Sequence, residues 1–121
     1  MRLFALRGAT SVKANDAGAI RDATAELMAA IMARNGLEQD AVVSCLFTAT
    51  DDLDAEFPAA AARAAGFSAV PLICAREIAV PGSMPRVVRV LMHYHAAEDH
   101  SPVHVYLHEA SALRSDLAGA Q

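Results

Sequence analysis

The stretch Cys74-Ala-Arg-Glu77-Ile-Ala-Val80-Pro-Gly-Ser-Met-Pro85-Arg-Val-Val-Arg89-Val-Leu-Met-His93-Tyr-His95 frames the reading of the whole chain. Pro81 to Pro85 read as a turn, and Val87 to Tyr94 as a strongly apolar strand rich in β-branched residues. One arginine, Arg89, lies inside that strand. Desolvating a guanidinium is costly unless an anion meets it, so Arg89 calls for a carboxylate or a bound anionic ligand opposite. Glu77, just before the turn, is a candidate partner, and Cys74 precedes it by three residues. A structural ion pair, an edge strand with a wet Arg89 face and a ligand site all use these residue types. The stretch alone leaves the three open.

On the N-terminal side, Leu3 to Thr10 read as a first strand, with Arg7 near its end and Gly8 allowing close backbone approach. Asn15 and Asp16 offer an N-cap to a helix over Ala17 to Arg34. Ile20, Thr24, Leu27 and Ile31 share one face of it, and Asn35-Gly36 supplies the stop. Ala41 to Ala49 form a second strand, and Thr50 to Asp54 a polar loop. Pro58 to Ala65 form a short alanine-rich helix that carries Arg63 and ends at Gly66. Ser68 to Cys74 are expected as a third strand, at an edge or bulge because of Pro71. Beyond the Arg89 strand, Glu98 to Pro102 make a loop, Val103 to Leu107 a fifth strand, and Glu109 to Leu113 with Arg114 the exit. This order implies a single α+β domain over residues 1–121: a mixed sheet with one long and one short helix on one face, and residues 115–121 as a flexible tail.

A chain of 121 residues that is 55% hydrophobic but only 5% aromatic has more aliphatic surface than a small monomer hides, so association is expected. A net charge of −4 argues against a nucleic-acid partner, and means that an anionic ligand must be held by a local arginine cluster. No apolar run approaches the ~20 residues of a membrane span. No leader pattern precedes the first strand, so a cytoplasmic protein is expected, with Cys45 and Cys74 as free thiols.

His93 and His95 alternate onto one strand face, while His100, His104 and His108 are scattered; no Cys-x-x-Cys or His-Glu-x-x-His accompanies them, and no metal is expected. No glycine-rich phosphate loop exists, so no nucleotide cofactor is expected either. A carboxylate nearby works against a thiolate nucleophile, which leaves Cys74 to contribute shape and a weak hydrogen bond. Arginines, one carboxylate and a tyrosine in apolar surroundings remain. Such a set binds and polarises a small organic anion without proton transfer.

Arg7-Gly-Ala-Thr, Phe57-Pro-Ala with Arg63, Cys74-x-x-Glu77, Val80-Pro-Gly-Ser-Met-Pro-Arg-Val-Val-Arg89-Val and His104-Val-Tyr106-Leu107 lie in register along Leu3 to Asp116. Together they closely resemble the monofunctional chorismate mutases of the AroH-like class. The resemblance implies a trimeric pseudo-α/β-barrel with sites between subunits, and an isomerase that converts chorismate to prephenate on the way to phenylalanine and tyrosine. It further implies that Arg7, Arg89 and Tyr106 contact the substrate's carboxylates and ether oxygen, and that Glu77 and Cys74 contact the ring hydroxyl. Phe57, Ala59, Arg63 and Ile73 would wall the site from the adjacent chain, with Leu113 closing the C-terminal side. Ala60 stands where relatives often carry a basic residue, Ile73 where a hydroxyl residue is known, and Arg114-Ser-Asp where Arg-Pro-Asp is usual. Two other readings are a trimeric enamine/imine deaminase, which lacks this Cys74-x-x-Glu77 to Arg89 register, and a non-catalytic trimeric module that binds a small acid.

Overall fold

The computed structural model describes residues 1–113; the expected tail at 115–121 and Arg114 lie outside that range. Five strands, β1 (Arg2–Ser11), β2 (Val42–Ala49), β3 (Leu72–Arg76), β4 (Val87–Ala96) and β5 (Val105–Leu107), form one mixed sheet in the order β3-β2-β4-β1-β5. The long strand β4 is central, antiparallel to both β1 and β2, while β3 and β5 add as parallel edge strands. Two helices, α1 (Ala17–Asn35) and α2 (Pro58–Ala64), pack against each other and cover one face, as the element order implies.

Local chemistry sets the helix ends. Asp16 caps α1 by accepting from the Ala19 backbone N–H at 2.7 Å, and Gly36 ends it in the left-handed region at φ 62°. Asn15, an equal candidate for the cap, instead binds the loop after β2, accepting from the Asp54 and Ala55 backbone N–H groups and donating to the Asp54 carboxylate. The expected stripe of Ile20, Thr24, Leu27 and Ile31 is fully buried. It meets the sheet through Leu6, Phe47, Val90, Met92 and Val105.

The close approach of α1 to β1 occurs at Gly8. A Cβ there would lie 2.7 Å from Ile31 Cδ1 and 3.3 Å from the Val105 carbonyl oxygen. Gly8→Ala is therefore expected to lower unfolding free energy by about 1–3 kcal/mol, the usual range for overpacking a filled core. Urea unfolding of Gly8→Ala, Ile31→Val and the double variant checks this: removing Cδ1 should make the two losses less than additive.

Two expected strands start later than the sequence suggests. Phe67–Ala69 form a 3-10 turn, and β3 begins only at Leu72. Pro71 has no N–H for the ladder, and its carbonyl accepts the Cys45 N–H at 3.1 Å as the first contact with β2. β5 begins at Val105 and not at Val103, because the Asn35 side chain takes both Val103 backbone groups, accepting its N–H at 2.8 Å and donating to its carbonyl at 2.9 Å. The next bond to β1 is also made by a side chain: the Arg7 backbone N–H donates to His104 Nδ1 at 2.9 Å.

Candidate active site

The register of the sheet brings the sequence candidates together on the face without helices. Residues directly opposite in paired strands share a face, so side chains can be followed across the sheet rung by rung. One rung runs Arg7, Leu91, Leu46, Ile73, and the next runs Tyr106, Ala9, Arg89, Thr48, Ala75. Ala9 separates Tyr106 from Arg89 with a side chain too small to fill the gap. A hollow of about 310 Å³ results, lined by Arg7, Ala9, Leu46, Thr48, Arg89, Leu91 and Tyr106.

Glu77 reaches this face from beyond the end of β3. Its backbone N–H donates to the Ala49 carbonyl at 3.0 Å, which holds it beside the end of β2. Arg89 Nε donates to Glu77 Oε2 at 2.9 Å, with the two side chains 40% and 16% exposed. Arg89 thus has the carboxylate its sequence position called for, on a central strand whose outer face is open. The ion pair exists, and it still leaves part of the Arg89 side chain accessible.

The turn before β4 is locked by Arg86, one of two non-glycine residues at positive φ among those described, at 50°. Its backbone N–H donates to both oxygens of Asp52, at 3.1 and 3.0 Å, and its Nε donates to the Val12 carbonyl at 3.0 Å. These bonds fix the start of β4 and with it the height of Arg89 in the sheet. Leu113 and Met84 pack with Tyr106 against Ala9, Val87 and Ala110, which places Leu113 on the C-terminal side of Tyr106.

The chain matches the family model for chorismate mutase type I over residues 3–117. It belongs to that family. It is 45% identical over 118 residues to a chorismate mutase of Thermus thermophilus, covering 96% of this chain and 97% of the relative. A chorismate mutase of Bacillus subtilis is 35% identical over 120 residues, covering 98% and 94%. The structure of a chorismate mutase from Clostridium thermocellum superposes with a TM-score of 0.87 at 44% identity, covering 90% of this chain and 98% of that one.

Within this chorismate mutase chain, not all sequence candidates gather at one place. Cys74 pairs with Phe47 across β2 and packs against the core from the helix side, so it lies on the opposite face from Arg7 and Arg89. Two residues three apart in a strand face opposite ways; Glu77 escapes that parity because β3 ends at Arg76. Cys74 instead shares a second hollow, about 350 Å³, with Leu53, Glu56, Phe57, Pro58 and Arg76. Phe57 is 69% exposed there. Next to it, Glu56 accepts from the Phe57 N–H at 2.9 Å and from Arg21 at 3.0 Å, donors that hold its carboxyl below the usual range. Arg63 is exposed on α2. Ala59, also expected in that wall, turns its methyl group from α2 into the core, at 4% exposure.

A larger hollow, about 690 Å³, lies elsewhere, between α1 and the C-terminal turn. Its lining charges are partly engaged already, Glu26 with His108 at 2.8 Å and Arg86 with the Val12 carbonyl. Volume alone does not mark a site, and this hollow lacks the set of Arg7, Arg89 and Tyr106 that lines the open face. Among the described residues no cluster of His, Cys, Asp or Glu is arranged to hold a metal. None of their helices is long and apolar enough to cross a membrane. One contributor escaped the sequence reading: Thr48, whose hydroxyl donates to Glu77 Oε2 at 2.7 Å.

Proposed function

We propose that this chain rearranges chorismate to prephenate at a site shared between neighbouring copies in a cyclic trimer. The observation that carries the reading is the Arg89–Glu77 pair set beside Arg7 and Tyr106 on adjacent rungs of an open sheet face. The rearrangement is pericyclic: a C–O bond breaks as a C–C bond forms, and no proton moves. An enzyme must hold the reactive diaxial chair and stabilise the charge that separates. Arg89 engages Glu77 through Nε, which leaves its terminal nitrogens to meet negative charge growing on the ether oxygen. Glu77 compensates positive character on the ring and accepts from the ring hydroxyl. Arg7 and Tyr106 bind the carboxylates, and Leu113 closes one side.

Four apolar side chains support the trimer: Leu3, Leu46, Leu91 and Ile73 are 54, 41, 37 and 61% exposed on the uncovered face. A row of that kind on a strand face is normally covered. In this reading Phe57 and Arg63 wall the site from the adjacent chain, with Cys74 on the Phe57 surface, while Ile73 lies on the open face that the neighbour covers. Ala60 and Ile73 reduce the polar groups available to the substrate and weaken affinity more than chemistry. The two free thiols, Cys45 and Cys74, fit a cytoplasmic enzyme.

The direct test follows the ultraviolet absorbance of chorismate with purified protein and no added cofactor or metal. Enzyme-dependent loss of chorismate with stoichiometric prephenate supports the proposal; binding without turnover would make the chain a non-catalytic module. A mechanism without a nucleophile also makes a prediction about the thiols. Cys74→Ser should keep kcat within about threefold of wild type, and thiol blocking should inhibit only in proportion to the bulk of the reagent. Cys45, fully buried with its pKa pushed up to about 12 by desolvation, should not react in the folded protein. A serine variant as inactive as an Arg89 variant would mean that a covalent step exists.

A further inference from the structure

Thr48 stands directly opposite Arg89 in the β2–β4 ladder, on the open face, and its side chain lines the same hollow. Its hydroxyl donates to Glu77 Oε2 at 2.7 Å, and Arg89 Nε donates to that same oxygen at 2.9 Å. Two donors of different kinds thus converge on one carboxylate oxygen. Among the described residues, Glu77 Oε1 and the terminal nitrogens of Arg89 make no hydrogen bond.

This arrangement is not the one an arginine and a glutamate adopt by themselves. A guanidinium and a carboxylate prefer the two-bond fork, in which both oxygens face two nitrogens. A fork would consume Oε1 and a terminal nitrogen, the two groups that the proposed chemistry needs for substrate. The Thr48 hydroxyl occupies Oε2 from the β2 side, while the Glu77 backbone is tied to Ala49. The Thr48 bond and the backbone tie together restrain the carboxylate against turning into the fork.

We propose that Thr48 is a positioning residue: by sharing Oε2 with Arg89 Nε, its hydroxyl keeps the pair in a single-oxygen geometry that leaves Oε1 and the terminal guanidinium nitrogens free for substrate. The inference deepens the chorismate mutase reading and, for its kinetic arm, rests on it. Thr48→Val keeps shape and volume but has no donor, whereas Thr48→Ser keeps the donor.

Kinetics and nuclear magnetic resonance test the idea together, with thermal melts confirming that the variants fold. Thr48→Val should lower kcat roughly tenfold with KM changed less than about threefold, and Thr48→Ser should stay within about threefold of wild type. Equal losses in the valine and serine variants, or a valine variant within about twofold of wild type, would overturn the proposal. The second readout needs no activity. In nitrogen-15-labelled protein without substrate, the Arg89 Nε–H resonance, assigned by its loss in Arg89→Lys, should shift in Thr48→Val and stay in place in Thr48→Ser. An unchanged resonance in Thr48→Val would overturn the proposed geometry. Should wild type fail to turn over chorismate, the functional reading falls, and the resonance still decides whether Thr48 sets the Arg89–Glu77 geometry.

Discussion

Arg89→Lys is expected to keep the positive charge and lose most of the turnover, with kcat falling on the order of a hundredfold, or about 3 kcal/mol or more of transition-state stabilisation. The loss follows from the number of donors. Arg89 holds Glu77 through Nε and still has two terminal nitrogens on a rigid plane. A lysine has one flexible nitrogen. Placed on Glu77 it abandons the ether oxygen, and placed on the ether oxygen it leaves a carboxylate that is only 16% exposed with Thr48 as its remaining donor. Fold stability should change little, because the Arg89 side chain faces an open surface and contributes no core packing. Initial rates across a chorismate series, with a melting curve for the same sample, measure both. A lysine variant within about threefold of wild type would show that Arg89 is structural.

Mixing two inactive variants should regenerate active sites. Arg89→Ala removes one open-face cation, and Phe57→Asp puts a charge at a side chain that is 69% exposed on the other side of the molecule. The fold keeps these two surfaces apart in one chain: Arg89 lies on the uncovered face, and Phe57 lies at the start of α2 beside Cys74. A shared site pairs the Arg89 surface of one copy with the Phe57 surface of the next. When equal amounts are unfolded together and refolded, a site is intact only if its first chain is the Phe57 variant and its second is the Arg89 variant. Random cyclic assembly then restores roughly a quarter of wild-type sites. Sizing the mixture establishes that trimers reformed. Activity near zero from properly sized trimers would mean that one chain builds the whole site.

The parts of the fold written in neighbouring residues were legible. Asp16 and Gly36 mark the ends of α1, four residues at helical spacing mark its buried face, and Pro58 marks the start of α2. The need for an anion beside Arg89 was legible too, because a charged residue in an apolar strand violates the pattern around it. The nature of that anion was not. Ion pair and ligand site use the same residues, and the structure contains the first while leaving room for the second. Cys74 was placed with Glu77 by the motif that carries the family resemblance, and strand parity turns it toward the core. Ala59 was assigned to a wall by its place in a motif, and α2 turns it inward.

By itself, then, the sequence determined the helices, their caps, the strand content and the chemistry available, since each depends on residues within a turn or two of one another. The family resemblance rests on the same local motifs. Only the tertiary structure decided the strand order, the late starts of β3 and β5, and the placement of Thr48 opposite Arg89. Those features depend on backbone pairing between distant segments, as when Gly8 on β1 aligns with Val105 on β5. No local signal carries that pairing, because a one-residue slip in register would turn every side chain of a strand to the other face. The burial of Leu6, Phe47, Met92 and Val105 beneath α1 selects one register, and that register puts Arg7, Arg89, Thr48 and Tyr106 on the same open surface.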